Sequence, residues 1–297
     1  MIKFLKDWTL PLAMLLGSIA YPIFSQLSVL TPWLIMAMLF LTFSKLSISE
    51  LKPERLHVYL LFIQIFGSLL AYLLLKSIHP VIAQGAMLCI LAPTATAAPV
   101  ITGKLGGSIA SLTTYTLLSN LAVAIVAPLC FPLIEIGDHP NFLAGFTLIL
   151  TKVFPLLLGP FIAAQLVRVF LPKIHHQISR LYGAGFYIWA FSLTIVTGQM
   201  VKEVLGQSQN SYIAIYTALV ALATCIFQFF IGKTIGARYN NRITGGQALG
   251  QKNTILAIWM AQTYLNPLSA IGPGAYVLWQ NLFNSWQLWR KSKGKSI

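Results

Sequence analysis

The sequence predicts an all-α membrane protein of ten transmembrane helices. Three observations lead there: an apolar composition, apolar stretches of bilayer length, and basic residues confined to alternate connections. Of 297 residues, 57% are hydrophobic and only 9% charged, against about 25% charged in average soluble proteins. A soluble chain must face water with its outside, and too little polar surface is present for that. The length and the lack of a polar linker predict one membrane transport domain over 1–297.

A helix needs about 20 mostly apolar residues to cross the hydrocarbon core. Taken in order, the expected spans are approximately 8–25, 30–44, 55–77, 80–102, 108–134, 142–170, 180–200, 210–236, 243–264 and 270–289. The first follows Lys3 and Lys6, as a signal peptide would, but the many later spans favour a retained helix. The second is short and extends towards Glu50. Alternating short strands, the mark of a barrel, are absent. Cys89, Cys130 and Cys225 each lie inside an apolar stretch without metal-ligand spacing, and read as packing residues.

The charges test the count. With the N-terminus inside, the inner segments hold Lys3, Lys6, Lys45, Lys52, Arg55, Lys104, Arg168, Lys173, Arg180, Lys233, Arg238, Arg242, Arg290, Lys291, Lys293 and Lys295. The outer loops hold only Lys76 and Lys202. That asymmetry follows the positive-inside rule, so both termini are expected to be cytoplasmic, in a cell's inner membrane. It also accounts for the net charge of +14 without a nucleic-acid partner. Trp8, Trp33, Trp286 and Trp289 fall near span ends, where interfacial aromatics belong.

The halves look related. Pro11 to Gly17 in the first span resembles Pro155 to Gly159 in the sixth. Five spans each place the halves in opposite orientation, which predicts two inverted repeats, about 1–137 and 138–297. Two spans suit a continuous helix badly. The fourth contains Pro93 and Pro99, each lacking an amide donor. The ninth runs Gly245-Gly246-Gln247-Ala248-Leu249-Gly250-Gln251-Lys252-Asn253-Thr254. Interruptions at corresponding places of two repeats point to a transporter's binding site. Proline-kinked structural helices are the alternative.

These residues resemble the bile acid:sodium symporter family, over nearly the whole length. That family's fourth helix reads roughly P-G-G-T-A-S-N-V-M-T, and Pro93 to Thr102 reads P-T-A-T-A-A-P-V-I-T. Its ninth reads roughly E-V-G-M-Q-N-S, and Ala248 to Thr254 reads A-L-G-Q-K-N-T. A glutamine of its third helix matches Gln64. The resemblance implies panel and core domains, with helices 4 and 9 unwound and crossing. It also implies carboxylate-bearing substrates and two sodium sites. At the family's sodium-ligand positions stand Ala98, Pro99, Ala248 and Lys252. Alanine and proline side chains offer no oxygen to a cation. A lysine repels one by about 4 kcal/mol at 4 Å and an effective dielectric of 20. Sodium coupling in the family's manner is therefore not expected, and no metal or cofactor site is.

Lys252 falls near the centre of the ninth span, and all six acids lie near span ends or in loops: Asp7, Glu50, Glu54, Glu135, Asp138 and Glu203. A charged lysine at mid-bilayer costs about 2.5–3.5 kcal/mol on insertion scales. Helix-end carbonyls, Gln64, Thr96 and Asn253 are the candidate compensators. The ammonium is expected to replace sodium as a built-in cation; proton coupling through it is a further expectation, and a lysine that merely packs is the alternative. Gln251, Asn253, Thr254, Thr94 and Thr96 complete the candidate substrate and coupling site. Thr113 and Thr116 match polar positions of the family's fifth helix. Lys152 reads either as a substrate-anion contact or as a residue near the end of a tilted span. Asn120 and Asn281 read mainly as interhelical bonding partners, and Tyr115 as packing.

Two deep lysines without deep acids fit an anionic solute. The leading expectation is a secondary carrier of a small organic anion, working by alternating access in the lipid bilayer. A sodium-dependent symporter with altered ligands and a membrane receptor or sensor are the alternatives. An enzyme is disfavoured, because His57, His79, His139, His175 and His176 lie in loops or near span ends and no catalytic motif occurs.

Overall fold

The computed structural model describes residues 9–46, 48–134, 141–206 and 211–294. Lys3, Lys6, Asp7, Trp8, Glu135, Asp138, His139 and Lys295, used above, lie outside these. The described chain is helical, and six helices are long and apolar enough to cross a membrane. They are Tyr21–Phe43, Arg55–Leu75, Ile109–Ile134, Phe142–Phe170, Ala184–Gly206 and Tyr212–Ala237. In lipid every backbone polar group needs an internal partner, which the helix supplies. The protein is thus an integral, multi-pass membrane protein. The remaining expected spans are shorter pieces or, in Ile271–Ser292, a helix with a basic last turn, Arg290 and Lys291.

One boundary corrects the sequence reading. The expected connection near 26–29 is instead a 3₁₀ segment, Ser25–Leu30, leading into Thr31–Phe43. The break falls earlier, at Ala20, after the helix Thr9–Ile19. Pro22 explains it: without an N–H it cannot serve the Ser18 carbonyl one turn back, so the first helix ends and Pro22 takes the first turn of the next.

The chain divides into two compact units. The first comprises Met1–Ser47 and Lys152–Asn210. Within it, Gly17 lets Thr9–Ile19 approach the backbone of Thr194, and Gly198 lies against Phe24. Small residues permit such close packing where lipid provides no hydrophobic drive between helices. The end of Thr31–Phe43 is closed by side chains: Arg168 Nη1 donates to the Leu46 carbonyl at 2.8 Å and Gln165 Nε2 to the same oxygen at 3.1 Å.

The second unit comprises Ile48–Thr151 and Ser211–Ile297. Arg55–Leu75 starts with a reciprocal cap, in which the Glu54 N–H donates to His57 Nδ1 at 3.1 Å. Gly232 and Gly236 of Ser211–Ala237 face Gly245 of Arg242–Gly250, backbone on backbone. A side chain at any of the three would push the two helices apart. This contact brings Arg242–Gly250 deep into the unit, where Thr244 to Gly250 are all buried.

Candidate functional site

Two helix interruptions meet inside the second unit. Pro80–Leu91 stops because Pro93 cannot donate and holds Ala92 out of the helical region, at φ −46° and ψ 138°. The chain turns helical again at Ala98–Leu105. Pro99 sits in the first turn of that piece, so it starts a helix where the sequence reading had it disturb one. The second interruption separates Arg242–Gly250 from Thr254–Tyr264. Thr94 and Lys252 pair as an antiparallel bridge. The Ala95 N–H donates to the Gln251 carbonyl at 2.9 Å, and the Asn253 N–H to the Pro93 carbonyl at 2.8 Å.

A helix end leaves its last carbonyls without partners, and here each finds one. After Leu88, which accepts from the Ala92 N–H, the Cys89 carbonyl accepts from Gln228 Nε2 at 3.1 Å. The Ile90 carbonyl accepts from Lys252 Nζ at 2.6 Å. Gln64 Nε2 serves both Leu91, at 2.7 Å, and Ala92, at 3.2 Å. Two side chains from other helices, Gln64 and Gln228, and one from the second interruption, Lys252, thus close one helix end.

Lys252 is 1% exposed. Its ammonium sits at the negative end of a helix dipole, worth up to about 2 kcal/mol in a buried geometry. A hydrogen bond to a charged group is worth about 1.5–3 kcal/mol. Both arise at the same carbonyl and are alternatives, each comparable to the insertion cost of about 2.5–3.5 kcal/mol, so the site does not require a carboxylate. Of the candidate compensators, a helix-end carbonyl is the one that takes the ammonium. Gln64 acts beside it on the neighbouring carbonyls, Asn253 caps Thr254–Tyr264 by accepting from the Leu256 N–H at 3.3 Å, and Thr96 is half-buried within the first interruption.

The backbone of the second interruption is held as closely. The Lys252 N–H donates to Gln280 Oε1 at 2.8 Å, and Gln280 Nε2 returns a bond to the Lys252 carbonyl at 3.3 Å. The Tyr276 hydroxyl donates to the Gly250 carbonyl at 2.9 Å, and Thr94 Oγ1 to the Ala248 carbonyl at 2.7 Å. Gly250 lies against the Phe229 ring, leaving no room for a Cβ. Gln251 and Thr254 are buried, and Gln251 Oε1 has no hydrogen-bond partner.

Several residues stand differently from the sequence reading. Tyr115 is more than packing: its hydroxyl donates to Gln64 Oε1 at 2.7 Å and orients the amide that closes the helix end. Ser119 was not singled out, yet its Oγ accepts from the Thr94 N–H at 3.1 Å. Asn281 bonds back to the Val277 carbonyl of its own helix at 2.6 Å, and its neighbour Gln280 faces the interruption instead. Thr113 and Thr116 likewise bond to carbonyls one turn back, Ile109 and Leu112. Lys152 is exposed and belongs to the first unit. Asn120 is buried, with Nδ2 on the Thr116 carbonyl and Oδ1 unpartnered. Ser119 and Gln280 lie on the buried faces of their helices, which no sequence pattern marks. Nothing in the sequence marks Tyr115 over other buried aromatics.

Among the described residues, no three His, Cys, Asp or Glu side chains gather in one place. Cys89 and Cys225 are buried in one cluster with Phe229 and Tyr276. Apolar spanning helices around a polar, unwound centre define a class: membrane transporters. The family is more specific. Residues 27–234 match the sodium bile acid symporter family, and the chain belongs to it. The matched stretch includes Gln64, the first interruption, Tyr115 and Ser119, and ends before Lys252. No curated protein matches the chain.

Proposed function

We propose that the protein is a secondary carrier of a small organic anion, with the Lys252 ammonium standing where related carriers hold a coupling cation. The observation that carries this reading is the 2.6 Å bond from Lys252 Nζ to the Ile90 carbonyl, at the negative end of an interrupted helix. A metal ion beside it would meet a repulsion of about 4 kcal/mol at 4 Å and an effective dielectric of 20, roughly a thousandfold in affinity. An ammonium has three donors, so two remain beyond the Ile90 bond for a substrate carboxylate when the site opens. Gln64, Thr94, Thr96, Gln251, Asn253 and Thr254 surround that position as the proposed site.

Ten spans in two inverted repeats remain the architecture that best fits the pieces. The segments 80–105 and 242–264 are each long enough to span once their interruptions are included. The unit division supports the repeat, because one unit draws its helices from the start of each half and the other from the rest. Alternating access by rocking of one domain is the proposed mechanism. We place both termini on the cytoplasmic side of a cell's inner membrane, from the distribution of basic residues.

The burial of Lys252 without a carboxylate favours a second reading, in which the ammonium sheds and regains a proton in each cycle. One experiment addresses both. The purified protein in proteoliposomes is offered a panel of organic acids, with sodium and pH gradients imposed separately. Uptake should ignore the sodium gradient, and Lys252→Gln and Lys252→Ala should lose it. Steep sodium dependence would overturn the built-in cation. Transport and pH response unchanged in both variants would remove Lys252 from the mechanism.

A further inference from the structure

A second polar site lies at helix ends, away from the interruptions. The second half of Ser211–Ala237, the start of Arg242–Gly250 and the end of Ile271–Ser292 line a half-open pocket of about 340 Å³. Lys233, Arg242 and Arg290 line it, with Ile226, Phe230, Phe283 and Trp286. Three cations facing one space repel one another, and among the described residues no carboxylate pairs with any of them. An anion in the cavity would relieve that repulsion and be held by it.

The cations are held in place. Lys233 Nζ lies 5.5 Å from the centroid of the Phe283 ring, and Arg290 Cζ lies 5.2 Å from that of Trp286. A Cβ on Gly246 would stand 2.6 Å from Lys233 Cγ, so the glycine makes room for the lysine stem. These contacts fix the positions and leave hydrogen bonding unmet: Arg290 Nε is buried without a partner. A planar guanidinium fork matches the oxygens of a phosphate. The apolar lining continues along a membrane-spanning helix, where Ile226 is 52% and Phe230 67% exposed. That surface suits acyl chains below a charged headgroup.

We propose that this cavity binds a phosphate-bearing anion, seated between Arg242, Arg290 and Lys233, and that an acidic phospholipid headgroup supplies it. The test measures thermal unfolding of the purified chain in detergent. Dioleoylphosphatidylglycerol, dioleoylphosphatidylcholine and glycerol 1-phosphate are added in separate arms. Phosphatidylglycerol should raise the midpoint by several degrees, phosphatidylcholine should not, and the double variant Arg242→Gln/Arg290→Gln should lose the shift. Lys233→Gln, which keeps both guanidinium groups, should lose part of it. Arg180→Gln, which removes an exposed charge from the other unit, should keep it. An equal shift with glycerol 1-phosphate would support the phosphate site and make its ligand a soluble one. Absence of a shift with either compound, a full shift in the double variant, or equal loss in Arg180→Gln would overturn the proposal. Native mass spectrometry of the same variants counts bound phosphatidylglycerol independently of their stability.

Discussion

The two interruptions of the second unit meet and exchange bonds in both directions, but only one of them brings an ionisable side chain. Residues 92–97 follow a proline-ended helix and carry no charge: Thr94 and Ala95 donate across the junction, and the Pro93 carbonyl accepts. Residues 251–253 add an ammonium and backbone N–H groups as donors, while the Gln251 carbonyl and the Asn253 amide oxygen accept. Neither is satisfied alone. The first needs the lysine of the second, and the second needs Pro93, Ala95 and Thr94 of the first. The difference teaches that one interruption leaves a helix-end carbonyl open and the other supplies the lysine that closes it.

The largest effect should come from removing the lysine. Lys252→Ala leaves the Ile90 carbonyl buried and unpaired and removes a charge-assisted bond of about 1.5–3 kcal/mol. Proteoliposome uptake should be lost, and the unfolding midpoint in detergent should drop. A variant that keeps both would show that the two interruptions do not depend on this contact. Next is the approach of the backbones. Gly250→Val would drive a side chain into the Phe229 ring, at an overpacking cost of about 1–3 kcal/mol. Lower thermal stability checks it, and an unchanged midpoint would mean the ring moves freely.

A smaller change sharpens the side with the open helix end. Tyr115→Phe removes one neutral hydrogen bond to Gln64, worth about 0.5–1.5 kcal/mol. Its midpoint should fall less than that of Gln64→Leu, which frees two carbonyls as well as the tyrosine hydroxyl. The reverse order would shift the weight from the glutamine to the tyrosine. The smallest effect belongs to Asn281→Ala, within about 0.5 kcal/mol because the amide serves only its own helix. Gln280→Leu should cost more, by detaching both bonds to the Lys252 backbone. Equal loss in the pair would contradict the assignment of Gln280 to the interruption.

Much of this was readable beforehand, and for definite reasons. Pro93 and Lys252 stand out because each breaks a rule that lipid imposes on its neighbours. Gln64 is legible only through its match to a glutamine of the resembled family's third helix. Asn281 and Gln280 illustrate the opposite case. Adjacent residues on a helix point about 100° apart, and a pattern of common polar types does not say which one faces the centre. Tyr115 looks like any buried aromatic until its hydroxyl is seen on Gln64. The break at Ala20 was missed because hydropathy reports apolar length and says little about where a helix restarts.

Composition, apolar stretches and misplaced residues determined by themselves that this chain lives in a membrane and breaks two of its helices. Those properties follow from the solvent, which taxes every unpaired polar group in the same way wherever it lies in the chain. Which carbonyl receives the ammonium, which amide closes the helix end, and which three cations share a cavity were decided only by tertiary structure. These depend on contacts between residues as much as 162 positions apart, and no local pattern encodes such a distance.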